Sequence, residues 1–319
     1  MSQSAAYVWM DGRIVPWAEA KIHVASDALL RGASVFEGER AYWSEKEQEL
    51  FLFRHADHME RLHQSARVMR MTIPYADEEI TAGCIELIRR NGFRGSVHFR
   101  PVAYFGEGEG HAFRPEDIRT GVFVLAFSRP SKPTLFSGIR SCVSTWRRNP
   151  DVAAPSRIKS AANYHNARLA QVEASLNGFG TPIMMNIAGK VSESPGSCFM
   201  MVRKGTVVTP PVTADILESI TRETLITLLR DELKIPVIER DIDRSELYIC
   251  DEALFCGSGQ EVQPIISVDH YEVGDGTPGP ITRAVQALYF EVTKGAHARY
   301  RHWLTPVYGN APLASAAAE

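Results

Sequence analysis

Residues 156–164 read Ser156-Arg157-Ile158-Lys159-Ser160-Ala161-Ala162-Asn163-Tyr164 and lie just ahead of a helical pattern. The chain has eight lysines against 27 arginines, and Lys159 is the lysine that small and apolar residues flank. Such surroundings remove water from an amine and favour its neutral form, which is a nucleophile that forms Schiff bases with carbonyl compounds or with pyridoxal phosphate. Taken alone, the segment fits at least as well a lysine whose stem passes small residues to reach solvent.

Length and composition describe an ordinary globular chain. At 319 residues it is long enough for two domains, and 45% of its residues are hydrophobic and 23% are charged. A net charge of −3 and an isoelectric point near 6.4 argue against a nucleic-acid partner, because such proteins carry a basic excess. The start of the chain lacks the pattern of a secretion signal, and no apolar run is long enough to predict a membrane span.

The cysteines are scattered, and no two of them have the C-x-x-C spacing of a metal or redox site. An odd number of isolated cysteines suits reduced core thiols better than a disulfide framework or a zinc site. We therefore expect a cytoplasmic protein with neither a membrane nor a nucleic acid as partner. The five cysteines are Cys84, Cys142, Cys198, Cys250 and Cys256.

The order of the predicted elements indicates an α+β fold. Apolar runs predict strands in both halves, and Asp11-Gly12 is a two-residue hairpin turn. Apolar spacing predicts helices over residues 57–69, 77–88, 161–177, 221–233 and 281–292. We expect a small N-terminal domain over residues 1–128, a linker over residues 129–136, a larger domain over residues 137–305, and a disordered tail over residues 306–319.

A pyridoxal phosphate enzyme needs a cradle for the phosphate dianion, and two segments are candidates. Glu218-Ser219-Ile220-Thr221-Arg222 opens a predicted helix, where free N–H groups and the helix dipole attract anions. Cys256-Gly257-Ser258-Gly259-Gln260 follows a predicted strand, and its glycines let the backbone approach a ligand closely. Each segment also fits a plain helix cap or a turn, so neither is specific by itself.

Two further side chains are candidates for holding the cofactor ring. Glu193 lies at the end of a predicted strand, and a carboxylate bonded to the pyridine nitrogen keeps that nitrogen protonated. Tyr164 lies five residues after Lys159 and is a candidate donor to the phenolic oxygen. On local grounds, the alternatives are a solvated turn glutamate and a buried tyrosine with an unrelated partner.

Histidines and arginines supply the remaining candidates. His55, His58 and His63 do not give a tetrahedral ligand set on one helix face, so we expect no metal. Arg61, in the same segment, suits a phosphate better because a guanidinium matches phosphate with two parallel hydrogen bonds. Arg100 interrupts an apolar strand pattern and is a candidate carboxylate anchor, with a solvent-facing strand residue as the alternative.

In this order, the segments resemble the fold type IV pyridoxal phosphate aminotransferases, and especially the branched-chain amino-acid aminotransferases. The resemblance covers residues 8–294, and its motifs are specific only as a set. The segments that carry it are Ser34-Val35-Phe36-Glu37-Gly38, His58-Met59-Glu60-Arg61-Leu62, Arg100-Pro101, Lys159 with Asn163-Tyr164, Val191-Ser192-Glu193, Thr209-Pro210-Pro211, Ser219-Ile220-Thr221-Arg222 and Asp251-Glu252-Ala253.

The resemblance implies a small N-terminal α/β sandwich domain and a larger C-terminal β-barrel-like domain with helices. It also implies a homodimer or higher homo-oligomer, in which a loop of the partner near residues 106–111 completes the pocket. Lys159 would hold pyridoxal 5′-phosphate and move the proton at the substrate Cα, while Glu193 and Tyr164 would bind the pyridine nitrogen and the phenolic oxygen. The expected phosphate ligands are Arg61, Ile220, Thr221 and Ser258, and the expected substrate pocket consists of Phe36, Gly38, Arg100 and the loop from Gly257 to Gly259.

Departures from the family pattern concern the substrate. His98 and Arg31 stand where branched-chain enzymes have tyrosines, and Arg157 replaces a smaller residue. Ser194-Pro195-Gly196-Ser197-Cys198 differs from the family's usual sequence after Glu193, and Ser258-Gly259 replaces Thr-Ala. The added positive charge of Arg31 and Arg40, with His98, suits a second carboxylate or a polar keto acid.

The leading hypothesis is a transaminase that moves the amino group of an L-amino acid, branched-chain or otherwise apolar, to 2-oxoglutarate by a ping-pong mechanism. Two alternatives within the fold are a D-amino-acid or (R)-amine transaminase and an aminodeoxychorismate lyase-like enzyme. A non-catalytic pyridoxal phosphate carrier would bind the cofactor without transferring an amino group. The presence of both Lys159 and Glu193 argues against a carrier, because simple binding needs no electron sink.

Overall fold

A computed structural model of the chain describes residues 5–108 and 114–309. Strands and helices alternate irregularly, which confirms the α+β class. The strands are β1 Tyr7–Met10, β2 Arg13–Pro16, β3 Ser34–Phe36, β4 Glu39–Ser44, β5 Glu49–Phe53, β6 Val97–Gly108, β7 Ile118–Ser128, β8 Ile139–Ser141, β9 Val143–Arg147, β10 Ile183–Met185, β11 Cys198–Arg203, β12 Thr206–Thr209, β13 Val237–Glu239, β14 Glu252–Gly257, β15 Glu261–Val268, β16 Tyr271–Glu272 and β17 Leu304–Pro306. The α-helices are α1 Asp27–Arg31, α2 His55–Val68, α3 Asp77–Arg90, α4 Thr134–Ser137, α5 Asn163–Leu176, α6 Ile220–Asp231 and α7 Pro280–Thr293.

The first large sheet uses both ends of the chain. Its strand order is β17-β5-β4-β6-β7-β1-β2, and β3 pairs with β6 at one side. The predicted turn at Asp11-Gly12 joins β1 to β2, with φ values of 46° and 85° that suit a primed hairpin turn. Helices α2 and α3 cover one face and share a core with the sheet that includes Leu62, Ile80 and Leu87, all fully buried.

The second large sheet has the order β13-β12-β11-β14-β15-β16, with β8 paired to β15, and β9 and β10 form a separate parallel pair. Among the described residues β13 and β16 do not pair, so the expected barrel-like domain is an open sheet rather than a closed barrel. Helices α6 and α7 pack on one face in a cluster that also contains Tyr42 and Phe53 of the first sheet. This shared cluster fixes the two sheets against each other.

The end of the described chain corrects one expectation. The sequence predicts a disordered tail from residue 306, yet Pro306 pairs with Phe51, the N–H of Val307 donates to the carbonyl of Leu50, and Val307 is fully buried. Apolar burial against β5 therefore extends order beyond the predicted boundary. Residues 310–319 lie outside the described part, and the division into domains at residues 129–136 stays a prediction. No helix in the described ranges combines the length and apolarity that a membrane crossing requires.

Candidate active site

One open cavity collects most of the predicted site residues. It lies between the two large sheets, bounded by β3, the segment before α5, the first turn of α6 and the hairpin turn between β14 and β15. The predicted residues that line it are Phe36, Gly38, Arg61, His98, Arg100, Lys159, Tyr164, Glu193, Ile220, Gly257, Ser258 and Gly259. Residues far apart in the sequence are thus brought together as the sequence analysis expects.

Hydrogen bonds to the backbone of Lys159 fix its position, and they do not use its amine. Its carbonyl accepts from the N–H of Phe36 at 3.0 Å, and its own N–H donates to Ser65 Oγ at 3.1 Å. The half-buried side chain lies 5.1 Å from the centre of the Phe36 ring, and Nζ donates to the hydroxyl of Tyr164 at 2.7 Å. The five-residue spacing between Lys159 and Tyr164 therefore produces a direct contact at the cavity wall.

Glu193 is not a solvated turn residue. Its carboxyl is buried, and Oε1 forms an ion pair with Arg148 at 2.8 Å. The N–H of Leu217 lies 3.4 Å from the same oxygen, and the thiol of Cys198 lies 3.7 Å from Oε2. Burial raises the pKa of Glu193, while Arg148, the N–H of Leu217 and Lys159 act in the opposite direction. The result is a desolvated carboxyl that faces the cavity with a fixed counter-charge.

The first turn of α6 forms one end of the cavity, called here the phosphate end, together with Arg61. Ser219 caps the helix by accepting from the N–H of Arg222 at 3.2 Å, whereas no hydrogen bond is found for the N–H of Ile220 or Thr221 in the described chain. Arg61 Nη1 donates to the carbonyl of Glu218 at 2.7 Å, which fixes the guanidinium beside this turn. Free N–H groups, a helix dipole and a guanidinium together attract a dianion.

Arg61 has a carboxylate partner that the sequence analysis does not identify. Glu37 is fully buried and accepts from Arg61 Nε at 2.8 Å and from Nη2 at 2.6 Å. His58 Nδ1 lies 2.7 Å from the same carboxylate. Although burial raises it, the pKa of Glu37 is held well below its usual value by Arg61 and His58. The side chains of His55 and His58 are therefore engaged with glutamates, His55 with Glu39 at 2.7 Å.

The opposite end of the cavity, called here the arginine end, contains His98, Arg100 and Arg129. His98 and Arg100 point to the same face of β6 because they are two residues apart. Arg100 lies over the ring of Phe36 at 4.7 Å, and its buried Nε has no hydrogen-bond partner in the described chain. Both ring nitrogens of buried His98 also lack a hydrogen-bond partner in the described chain. Burial is the main reason that the pKa of His98 is lowered to about 2, and the charges of Arg100, Arg129 and Arg40 act in the same direction.

Three predicted residues do not line the cavity. Arg40 is buried behind His98, donates to the carbonyl of Arg129 at 2.5 Å and lies 3.4 Å from Glu261. Arg31 ends the short helix α1, where it pairs with Asp27, and lines a separate surface depression. Thr221 is buried within the first turn of α6. The charges of Arg31 and Arg40 are therefore not presented to this cavity, because each is turned toward its own carboxylate.

Two charged residues of the cavity wall, Arg148 and Arg129, are missed by the sequence analysis. Arg148 follows another arginine just after β9, and only the fold brings it to Glu193. Arg129 falls in the predicted linker, although its N–H donates to the carbonyl of Ser96 and so continues the pairing of β7 with β6. The local sequence shows Arg148 only as the second of two adjacent arginines, and Arg129 only as one of two cations in a proline-containing segment.

The donors and acceptors around the cavity fit pyridoxal 5′-phosphate. A dianion matches Arg61 and the free N–H groups of α6, and a protonated pyridine nitrogen matches the buried carboxyl of Glu193. A phenolic oxygen matches the hydroxyl of Tyr164, and an aldehyde carbon matches the amine of Lys159. Gly257 makes room at the turn, since a Cβ there would lie 3.3 Å from the side chain of Ser197.

Comparisons with known proteins agree with this geometry. Residues 34–268 match the model of the family described as amino-transferase class IV. A probable branched-chain-amino-acid aminotransferase of Aquifex aeolicus is 39% identical over 311 residues, which cover 96% of this chain and 98% of that protein.

Two solved structures are also similar. The pyridoxal phosphate form of the branched-chain amino acid aminotransferase from Thermobaculum terrenum is 43% identical, with a TM-score of 0.89 over 95% of this chain and 99% of that one. The branched-chain aminotransferase of the thermophilic archaeon Thermoproteus uzoniensis with norvaline is 40% identical, with a TM-score of 0.88 over 95% of this chain and 99% of that one.

Proposed function

The chain belongs to the class IV aminotransferases, in the fold type IV branched-chain amino-acid aminotransferase family, and we propose that it transfers the amino group of an L-amino acid to 2-oxoglutarate. It is an aminotransferase, and its cofactor is pyridoxal 5′-phosphate. The proposed donor is branched-chain or otherwise apolar, and the two substrates alternate in one site by a ping-pong mechanism. The observation that carries the proposal is one cavity that holds the Lys159–Tyr164 contact and the buried Glu193–Arg148 pair.

Lys159 is proposed as the base and acid of the reaction. Bound at this site, pyridoxal phosphate supplies a conjugated ring that takes up the electron pair left when a substrate Cα loses its proton. The amine of Lys159 removes that proton and returns one later, a role that needs a mobile side chain on a fixed backbone. The hydrogen bond from Nζ to Tyr164 directs the amine across the cavity wall beside Phe36.

Glu193 and the phosphate end are proposed to hold the cofactor. The carboxylate of Glu193 keeps the pyridine nitrogen protonated, and Arg148 stabilises that carboxylate in a site from which water is excluded. Arg61, the N–H groups of Ile220 and Thr221, and Ser258 bind the phosphate. Because Arg61 is already paired with Glu37, its guanidinium is oriented before the phosphate arrives.

The substrate side of the cavity is proposed to combine apolar and cationic walls. Phe36 and the space over Gly38 accept an aliphatic side chain, and Arg100 binds the distal carboxylate of glutamate or 2-oxoglutarate. The glycines of the turn between β14 and β15 let backbone groups approach the substrate. This division suits an enzyme that must accept a side chain with a carboxylate and one without it.

We further propose that the protein forms a homodimer and acts in the cytoplasm. The partner's loop near residues 106–111 would close the pocket; residues 109–113 lie outside the described part. All five cysteines are unpaired, which suits a reducing compartment.

The experiment is a donor panel followed by absorbance. Leucine, glutamate, D-alanine and (R)-1-phenylethylamine are added singly to the purified holoenzyme, and the loss of the visible band of the cofactor is recorded. The L-amino acids should bleach the band, and 2-oxoglutarate should restore it. Bleaching by the D-amino acid or the (R)-amine alone would assign the chain to the opposite selectivity, and no bleaching by any donor would overturn the proposal.

A further inference from the structure

We propose that Arg129 is a specificity-determining residue that, together with Arg100, binds the second carboxylate of dicarboxylic amino and keto acids. This inference rests on the proposed function, because it concerns the substrate of the same site. It differs from the role proposed for Arg100 alone in that the anion would lie between two guanidinium groups.

The arginine end has more positive than negative charge. Arg40, Arg100 and Arg129 lie around His98, and the carboxylate that acts on this group is Glu261. Glu261 pairs with Arg40 at 3.4 Å and accepts from Ser131 at 3.0 Å. Within the described ranges neither Arg100 nor Arg129 has a carboxylate within ion-pair distance. Two guanidinium groups at the wall of the cavity therefore lack a counter-ion.

Arg129 is built into its position rather than free to turn away. Its backbone N–H donates to Ser96 at 2.9 Å, and its carbonyl accepts from the buried side chain of Arg40. Nη2 donates to the carbonyl of Gly259 at 3.0 Å, which ties the side chain to the hairpin turn that lines the cavity. A Cβ on residue 259 would lie 3.7 Å from Nη2, an ordinary van der Waals contact, so residue 259 lies directly beside the guanidinium.

Buried polar atoms without partners mark the same place as a ligand site. Nε of Arg100 and both ring nitrogens of His98 have no hydrogen-bond partner in the part of the chain that is described, and both residues line the cavity. Buried polar groups are nearly always satisfied, so three such atoms at one cavity wall indicate a polar ligand. A carboxylate supplies an acceptor for Nε of Arg100 and for the ring nitrogen of neutral His98 that carries the proton, and it neutralises a guanidinium.

Phe36 is close to both the reacting amine and the arginine end. Its ring centre lies 5.1 Å from Lys159 Nζ and 4.7 Å from the guanidinium carbon of Arg100. A substrate whose amino group meets Lys159 would extend past Phe36 toward the arginine end. Burial, and for Arg129 also the charge of Arg40, lowers the pKa of both arginines, as expected for cations that lack an anion.

The test compares two unreactive acids on the holoenzyme. Glutarate has two carboxylates, whereas 4-methylpentanoate has one carboxylate and an aliphatic end. Their dissociation constants are measured by calorimetry for the wild type, for Arg129→Gln and for Arg168→Gln, an exposed arginine on α5 that serves as the control. Arg129→Gln should weaken glutarate about ten- to a hundredfold, and 4-methylpentanoate several times less. Arg168→Gln should change neither constant.

A second measurement separates this inference from the proposed function. The KM for glutamate divided by that for leucine should rise at least about tenfold in Arg129→Gln, as lost charged hydrogen bonds predict. Equal losses for both acids, or unchanged glutarate binding, would overturn the role of Arg129 and leave the transaminase proposal intact. If no donor reacts with the wild type, the transaminase proposal fails, while the calorimetry still decides whether Arg129 binds a dicarboxylate.

Discussion

The two ends of the cavity treat their charges in opposite ways. At the phosphate end, Arg61 donates two hydrogen bonds to a fully buried carboxylate, Glu37, and a third to a carbonyl. At the arginine end, Arg100 and Arg129 have no such carboxylate in the described chain, and the side chain of His98 makes no hydrogen bond within it. A group that stays bound allows a permanently assembled site, whereas substrates that alternate require groups that are satisfied only when a ligand is present. The phosphate end is therefore suited to holding the cofactor, and the arginine end to selecting among substrates.

Lys159 lies between the two ends, and its loss should have the largest effect. Lys159→Ala removes the proposed base, so both half-reactions should fall below detection, beyond the roughly 10²–10⁴-fold typical of one general acid–base group. The fold should persist, because the surrounding hydrogen bonds use the backbone of Lys159. Stopped-flow absorbance with leucine and glutamate gives the measurement, with the exposed Lys294→Ala as control. Turnover near the wild-type rate would refute the assignment of the active site.

Glu193 tests whether the charge proposed to hold the pyridine nitrogen affects the reaction rate. Glu193→Gln keeps the shape but removes the charge, so the pyridine nitrogen would be less protonated and Cα deprotonation should slow by roughly 10²–10⁴-fold. Leucine and glutamate should slow alike, since the ring is common to both. Single-turnover rates are compared with those of Glu223→Gln, a more exposed glutamate on α6. A wild-type rate in Glu193→Gln would make this glutamate a structural residue.

Glu37 tests the permanent pairing directly. Glu37→Gln leaves the guanidinium of Arg61 without its carboxylate, and breaking a buried pair typically costs about 3–5 kcal/mol. We expect a loss of that size in the free energy of unfolding, together with weaker binding of pyridoxal phosphate to the apoenzyme. Denaturant titration and cofactor titration are run beside Glu60→Gln, an exposed residue of α2. Unchanged values would mean that the two ends do not differ in how they are stabilised.

Arg100 tests selection at the other end. Losing a charged hydrogen bond costs about 1.5–3 kcal/mol, so Arg100→Ala should weaken the use of glutamate and 2-oxoglutarate roughly ten- to a hundredfold. Leucine and its keto acid should lose much less, because they leave the arginine without a carboxylate. The ratio of kcat/KM for the two classes gives the result. An equal loss in both would show that Arg100 binds the α-carboxylate or supports the fold.

His98 should give the smallest effect, and it appears in stability against pH. Its pKa falls from 6.5 to about 2 on folding, so the folded protein keeps the ring neutral while the unfolded chain takes up a proton below pH 6.5. Stability from this residue is therefore present above pH 6.5 and is lost as the pH falls. Between pH 6.5 and 5 the wild type should lose about 1–2 kcal/mol more of its free energy of unfolding than His98→Gln. If the wild type and His98→Gln lose the same free energy of unfolding between the two pH values, the ring of His98 is accessible to water in the folded protein.

Sequence patterns locate the parts of this site that depend on short-range spacing. The contact between Lys159 and Tyr164, the first turn of α6 and the hairpin turn beside Ser258 follow from local order, and the structure brings them together. Charge placement is harder to predict. Arg129 is assigned to the predicted linker from its local sequence. Its hydrogen bond to Gly259 joins segments that are distant in the sequence, so local spacing does not reveal it.

The same limit applies to Arg31, which is not among the residues that line the cavity. The pattern of charge predicts Arg31 at the substrate pocket, but the short helix α1 directs it back to Asp27 one turn earlier. Residue type and spacing indicate which groups are available, but the direction of a long charged side chain is set by the nearest carboxylate. That carboxylate is identified only once the chain is folded.

The pairing of β17 with β5 has a consequence for how this protein is made. The edge of the first sheet is completed by Leu304, Thr305 and Pro306, which leave the ribosome late. Until they emerge, the buried strand β5 presents its open edge and the side chains of Leu50 and Leu52, and such edges recruit other chains. A messenger truncated just before these residues would thus yield a chain that has every cavity residue but leaves the edge of β5 unpaired. Such a chain would be a target for chaperones and proteases.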